Sequence, residues 1–108
     1  MVDPMDVTDA TFPDEVLASD IPVIVDFWAP WCRPCRTIEP LLAGIAAASA
    51  GRLKLVRINL DENLGVQSHY GVLSLPTVIL FAGGMPQETL VGPHSRGRYE
   101  KTFAPYLV

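Results

Sequence analysis

Cys32 and Cys35 are the only cysteines of this 108-residue chain, and they stand three positions apart. Trp31 precedes them, at the point where an apolar, β-branched run from Ile21 to Trp28 gives way through Ala29 and Pro30 to helical periodicity. Spacing of i, i+3 on a first helical turn puts both sulfurs on one side of the helix, within bonding reach. Unbonded N–H groups and the positive end of the helix dipole stabilise a thiolate at that place. Cys32, the outer of the two, should therefore titrate below an ordinary thiol and act as the nucleophile. Cys35, one turn deeper, would attack the resulting mixed disulfide as the resolving thiol. Two other readings stand beside this one: half of a zinc or shared iron–sulfur site, or two inert buried thiols. Tetrahedral zinc needs four ligands, yet the two histidines, His69 and His94, lie 25 positions apart and match no metal spacing. Both read as surface or turn residues with no assigned role, and no metal is expected.

Asp26 is the second residue with chemical potential, because it interrupts the run Val23-Ile24-Val25-Asp26-Phe27-Trp28. A carboxyl inside a buried strand is no ordinary solvated charge. Burial disfavours the ionised form and raises the pKa toward the range useful for proton transfer.

The elements that must position these groups follow from patterning. Thr11-Phe12-Pro13-Asp14 predicts a helix start, with Thr11 as cap and Asp14 and Glu15 favoured in the first turn, running to about Ser19. Ile21 to Trp28 predicts a central strand covered on both faces. After the cysteines, Ile38, Leu41, Leu42 and Ile45 follow helical spacing up to Gly51, with a kink expected at the internal Pro40. Leu53 to Leu60 predicts a second buried strand, Asp61 to Tyr70 a short helix opened by Asn59 or Asp61, and Thr77 to Phe81 a third strand. Gly83-Gly84 joins that strand to Glu88 to Val91 in an antiparallel hairpin. Ser95 to Leu107 predicts a last helix capped by Ser95. The sum is an α/β chain with a mixed sheet between helices and one domain over residues 1–108.

Composition bounds the function. Apolar residues make up 49% and charged residues 19% of the chain, which is globular composition. The longest strongly apolar stretch, Leu41 to Ala48, is far shorter than the roughly 18 residues of a membrane span. The segment Met1 to Asp9 is acidic and unlike a signal peptide, so a cytoplasmic location is expected. A net charge of −4 with no Lys/Arg stripe argues against nucleic-acid or membrane partners.

Asp26-Phe27-Trp28-Ala29-Pro30-Trp31-Cys32 with Pro34-Cys35, then Leu75-Pro76-Thr77 and Val91-Gly92, resembles the thioredoxin family in order and spacing along essentially the whole chain. The resemblance implies a thioredoxin fold, a four- or five-stranded mixed sheet flanked by helices. It also implies a protein disulfide oxidoreductase that reduces protein disulfides by dithiol–disulfide exchange. Thioredoxins are themselves a common illustration of a lowered cysteine pKa. No bound cofactor is implied: electrons would come from a thioredoxin reductase and NADPH, substrates would be disulfide-containing proteins, and the working unit would be a monomer. The family aspartate that matches Asp26 lies beneath the disulfide and exchanges a proton with the residue matching Cys35. Bond statistics alone favour a trans Pro76, whereas the resemblance implies a cis bond facing the disulfide, beside backbone that pairs with extended substrate. Trp31, Pro34, Leu75, Pro76, Gly92 and Pro93 would form a shallow apolar substrate groove, extended by Leu73. Trp28 is expected to pack beside the site. The same resemblance admits a binding or chaperone-like module without catalysis, or a more oxidising isomerase or oxidase.

Two residues depart from the family pattern. Arg33 replaces the usual glycine and, with Pro34, should tune the redox pair. A guanidinium near the Cys32 thiolate is worth about 1 kcal/mol at an exposed site, hence on the order of 20 mV at most toward a more oxidising protein. Arg57 replaces the usual lysine beside the Asp26 strand. If its charge approaches Asp26, it should hold that acid more ionised; the alternative is a side chain that snorkels to water.

Overall fold

The computed structural model describes residues 4–107. Five strands form one sheet: β1 (Met5–Val7), β2 (Val23–Trp28), β3 (Lys54–Asn59), β4 (Thr77–Ala82) and β5 (Met85–Val91). Their order across the sheet is β1-β3-β2-β4-β5. Strands β1, β3 and β2 run parallel, and β4 and β5 run antiparallel to their neighbours. Parallel pairing of β2 and β3 needs a crossover, which helix α1 (Arg33–Ala48) supplies. Two shorter helices follow, α2 (Leu64–Tyr70) and α3 (Arg96–Phe103), with a closing 3-10 turn at Ala104–Tyr106.

Side chains alternate along a strand, so the sheet divides the apolar residues into two cores. Val23, Val25 and Phe27 of β2 pack on one face with Phe12, Val16 and Val66. Ile24 packs on the other with Ile38, Leu42 and Ile45 of α1 and Tyr99 and Phe103 of α3. By the same alternation Asp26 lies on the α1/α3 face, where it is 1% exposed. Within β2, then, the one acid occupies a position that the pattern reserves for core.

The structure corrects several local expectations. The first helical segment is a five-residue π-helical turn, Pro13–Leu17, and Thr11 does not cap it. Its hydroxyl instead accepts the Thr8 N–H at 2.9 Å, which occupies the oxygen a cap would use. Helix α2 begins at Leu64, and neither Asn59 nor Asp61 opens it. Asn59 Oδ1 accepts the Asp61 N–H at 3.0 Å in a local turn. The free donors of α2, the Gly65 and Val66 N–H groups, reach the Asp9 carboxylate at 3.0 and 2.9 Å. A tertiary partner therefore does what a local cap was expected to do. Helix α1 continues through Pro40 and ends at Ala48, three residues before Gly51. Ser95 caps α3 as expected, accepting the Arg98 N–H at 3.2 Å. Strand β1 carries no sequence signal, since three residues are too few to show alternation. Among the described residues, no helix is long and apolar enough to cross a membrane.

Candidate active site

Cys32 is the N-cap of α1 and Cys35 the third residue of its first turn. Extended backbone at Cys32 (φ −90°, ψ 101°) turns its side chain back over the helix start, and Sγ accepts the Cys35 N–H at 3.3 Å. The two cysteines are joined by a disulfide, with Cα atoms 5.4 Å apart. The expected contrast between an outer and an inner thiol does not hold in this oxidised state, since the residues are 3% and 2% exposed. Position separates them instead: Cys32 sits at the positive end of a 16-residue helix, where a thiolate is stabilised by free N–H groups. The Cys32 N–H itself closes a turn onto the Ala29 carbonyl at 3.0 Å.

Around the pair, Trp31, Arg33 and Pro34 are exposed, Trp31 by 70%. The Trp31 indole N–H donates to Asp61 Oδ1 at 3.1 Å and the Arg36 guanidinium to the Pro30 carbonyl at 2.6 Å, so the loop is tied at both ends. The Leu75–Pro76 bond is cis. The Pro76 carbonyl accepts the Gly92 N–H at 2.8 Å, joining the β4 entry to the β5 exit. Gly92 has φ +83°, a conformation that favours glycine at this join. A cavity of about 350 Å³ brings Trp31, Leu73 and Leu75 together with Leu60, Asp61 and Leu64. Leu73 and Leu64 are 93% and 64% exposed. Pro34, Pro76, Gly92 and Pro93 do not line it, and Pro76 is buried.

Asp26 carries the largest electrostatic anomaly. Burial raises its carboxyl pKa to about 7, with Glu39 adding to the rise and Arg57 opposing it. No hydrogen-bond partner reaches its Oδ1. Arg57 is the register partner of Asp26 on β3 and its charge holds that acid lower, while its guanidinium lies 4.5 Å over the Trp28 ring and pairs with Asp6 and Glu39. Trp28 is half-buried in the wall beside this cluster, and its indole N–H is buried without a partner. His94 and His69 make T-shaped contacts with Tyr99 and Tyr70. Among the described residues, no three His, Cys, Asp or Glu side chains come together as a metal site would need.

Sequence reasoning missed Glu39 and Asp61. Glu39 had a signal, since it falls one turn after Cys35 at i+4 on a helix whose buried stripe contains Ile38 and Leu42. The bond from Trp31 to Asp61 spans 30 positions and had none.

This geometry coincides with what comparison finds. Residues 3–104 match the family model described as Thioredoxin. Over 101 residues the chain is 52% identical to "Thioredoxin 1" of Synechococcus elongatus and 46% identical to "Thioredoxin 1" of a Nostoc species, each alignment covering 94% of both chains. It is also 46% identical to "Thioredoxin M-type, chloroplastic" of Chlamydomonas reinhardtii, covering 94% of this chain and 72% of that one.

Proposed function

This chain belongs to the thioredoxin family and is a protein disulfide oxidoreductase, and from that membership we propose the division of labour at its disulfide. In the reduced protein the Cys32 thiolate attacks one sulfur of a substrate disulfide. A mixed disulfide forms, and the first substrate sulfur leaves as a thiolate that takes a proton from water. Asp26, as carboxylate, accepts the proton of the Cys35 thiol. The Cys35 thiolate then attacks Cys32 Sγ, the second substrate sulfur departs, and two electrons have passed to the substrate while a Cys32–Cys35 disulfide remains. The observation that carries this assignment is the Cys35 N–H pointing at Cys32 Sγ from the first turn of α1.

Substrate lies along Leu75 in extended form and contacts Trp31, Pro34, Pro76, Gly92 and Pro93. The support is the join of Pro76 to Gly92 beside the cavity that Trp31 and Leu75 line. Arg33 and Pro34 tune the redox pair from the first two helical positions. The oxidised protein is returned to the dithiol by a thioredoxin reductase drawing on NADPH. It works as a monomer in the cytoplasm on disulfide-containing proteins; the relatives' printed names support the disulfide-exchange part of that reading. Reduction of insulin by dithiothreitol, followed by turbidity, tests the catalytic reading. Wild type should accelerate precipitation and Cys32→Ser should not; equal rates would favour a module that binds without catalysing.

A further inference from the structure

Strand register places Asp6, Arg57 and Asp26 in one row across three adjacent parallel strands. Residues in such a row point to the same face of the sheet, here the face that α1 and α3 cover. Arg57 stands between two carboxylates in that row, and its Nε and Nη1 donors are already engaged. Its Nε donates to Asp6 Oδ1 at 2.6 Å, and its Nη1 donates to both oxygens of Glu39, at 3.0 and 2.9 Å. No hydrogen bond runs from Arg57 to Asp26, whose Oδ1 stays unpartnered. The Glu39 carboxylate comes from α1, one helical turn after Cys35.

We propose that Glu39 is a positioning residue for proton transfer at this disulfide: by clamping the Arg57 guanidinium it withholds that cation from Asp26, so that Asp26 keeps the basicity needed to deprotonate Cys35. The inference rests on the assignment of Asp26 as the base for Cys35. A guanidinium released from Glu39 would keep Asp6 on its Nε and turn the freed Nη1 toward the nearest unpartnered carboxylate, that of Asp26, because a charge-assisted bond is stronger than a neutral one. Such a bond would stabilise the Asp26 carboxylate and weaken it as a base. An ordinary carboxyl, near pKa 3.9, is a poor acceptor for a thiol near 8.5, a mismatch of roughly five pH units. At about 7, Asp26 narrows that mismatch to roughly one and a half.

The groups facing Asp26 are few. From α1 comes Glu39, one turn after the buried Cys35; from β3 comes Arg57, and through it Asp6 of β1. From α3 comes the buried phenol of Tyr99, whose pKa burial raises, with a smaller push from Asp26. The β4 neighbour in register is the apolar Val78. Glu39 and Arg57 are thus the two charges that act on Asp26 directly, and they act in opposite senses.

The test uses the whole chain with Glu39→Gln and Glu39→Asp. Carboxyl carbon NMR follows the Asp26 titration in the oxidised protein. In parallel, a thionitrobenzoate mixed disulfide on Cys32 reports Cys35 attack by release of the coloured thiolate across pH. Glu39→Gln should lower the Asp26 midpoint by about half a pH unit. The release profile should move with it, and the rate on its alkaline side should fall about twofold. Glu39→Asp, which keeps the charge, should restore most of both. An Asp26 midpoint that stays in place in Glu39→Gln, or an equal shift in both variants, overturns the inference. A midpoint that moves while the release profile does not follow overturns the assignment of Asp26 as the base.

Discussion

Asp26 and Arg57 are register partners on adjacent parallel strands, yet no hydrogen bond joins them, and the guanidinium's Nε and Nη1 are turned to Asp6 and Glu39. A buried acid left beside a cation that is already engaged keeps much of its desolvation cost. That cost is the source of its basicity, and it should be visible in stability.

The sign follows from the two pKa values. Asp26 titrates near 7 in the folded protein and near 3.9 when unfolded. Well below pH 4 both states hold the proton and folding carries no ionisation penalty. As pH rises from 4 through 7 the unfolded chain gives up its proton first, and stability falls until the folded acid also ionises. The full loss is at most about 4 kcal/mol. Asp26→Ala removes it, so the variant should gain on wild type between pH 4 and 8 by a few kcal/mol. The truncation's packing cost is the same at every pH, so urea unfolding at pH 4, 6 and 8 isolates the ionisation part. A difference constant across pH would contradict the buried-acid reading.

Arg33, exposed at the first position of α1, sits next to the sulfur that becomes the thiolate. Its charge favours the reduced, ionised form. Arg33→Gly should therefore be the better reductant, with a potential lower by 10 to 20 mV, on the order of 1 kcal/mol or less for the pair. Equilibration of both proteins with glutathione at low ionic strength measures this, and added salt should shrink the difference. Identical potentials would remove electrostatics from the account of Arg33.

Leu73, 93% exposed, borders the cavity shared by Trp31 and Leu75. A substrate with a large apolar residue near its disulfide can cover it, and partial burial of a leucine is worth about 1 kcal/mol, roughly fivefold in affinity. Leu73→Arg should lower kcat/KM about fivefold for peptide disulfides carrying leucine or phenylalanine there, while leaving serine-bearing peptides nearly unchanged. A uniform effect on both peptide classes would remove Leu73 from substrate selection.

Much of this was legible from local pattern. Val23 to Trp28 read as a strand buried on both faces because its residues are apolar without alternation, and α1 read from Ile38, Leu42 and Ile45. Cys32 and Cys35 announced their chemistry through a three-residue spacing at a strand-to-helix junction, and Asp26 through being an acid where only core residues belong. Each of these signals lies within one element, where period and composition suffice.

Contacts between elements were not legible in the same way. Asp9 caps α2 from more than fifty positions upstream, so neither Asn59 nor Asp61 serves as its cap. Whether Arg57 meets Asp26 or water depends on the register of β2 and β3 and on the side of α1 that bears Glu39, and neither is written in either strand. The amino-acid sequence by itself determined the redox pair, the buried acid and the elements that carry them, because those follow from short-range periodicity and solvation. Only the tertiary structure decided where the Arg57 charge is spent, because a guanidinium is drawn to whichever carboxylates the packed sheet and helix bring within hydrogen-bond reach.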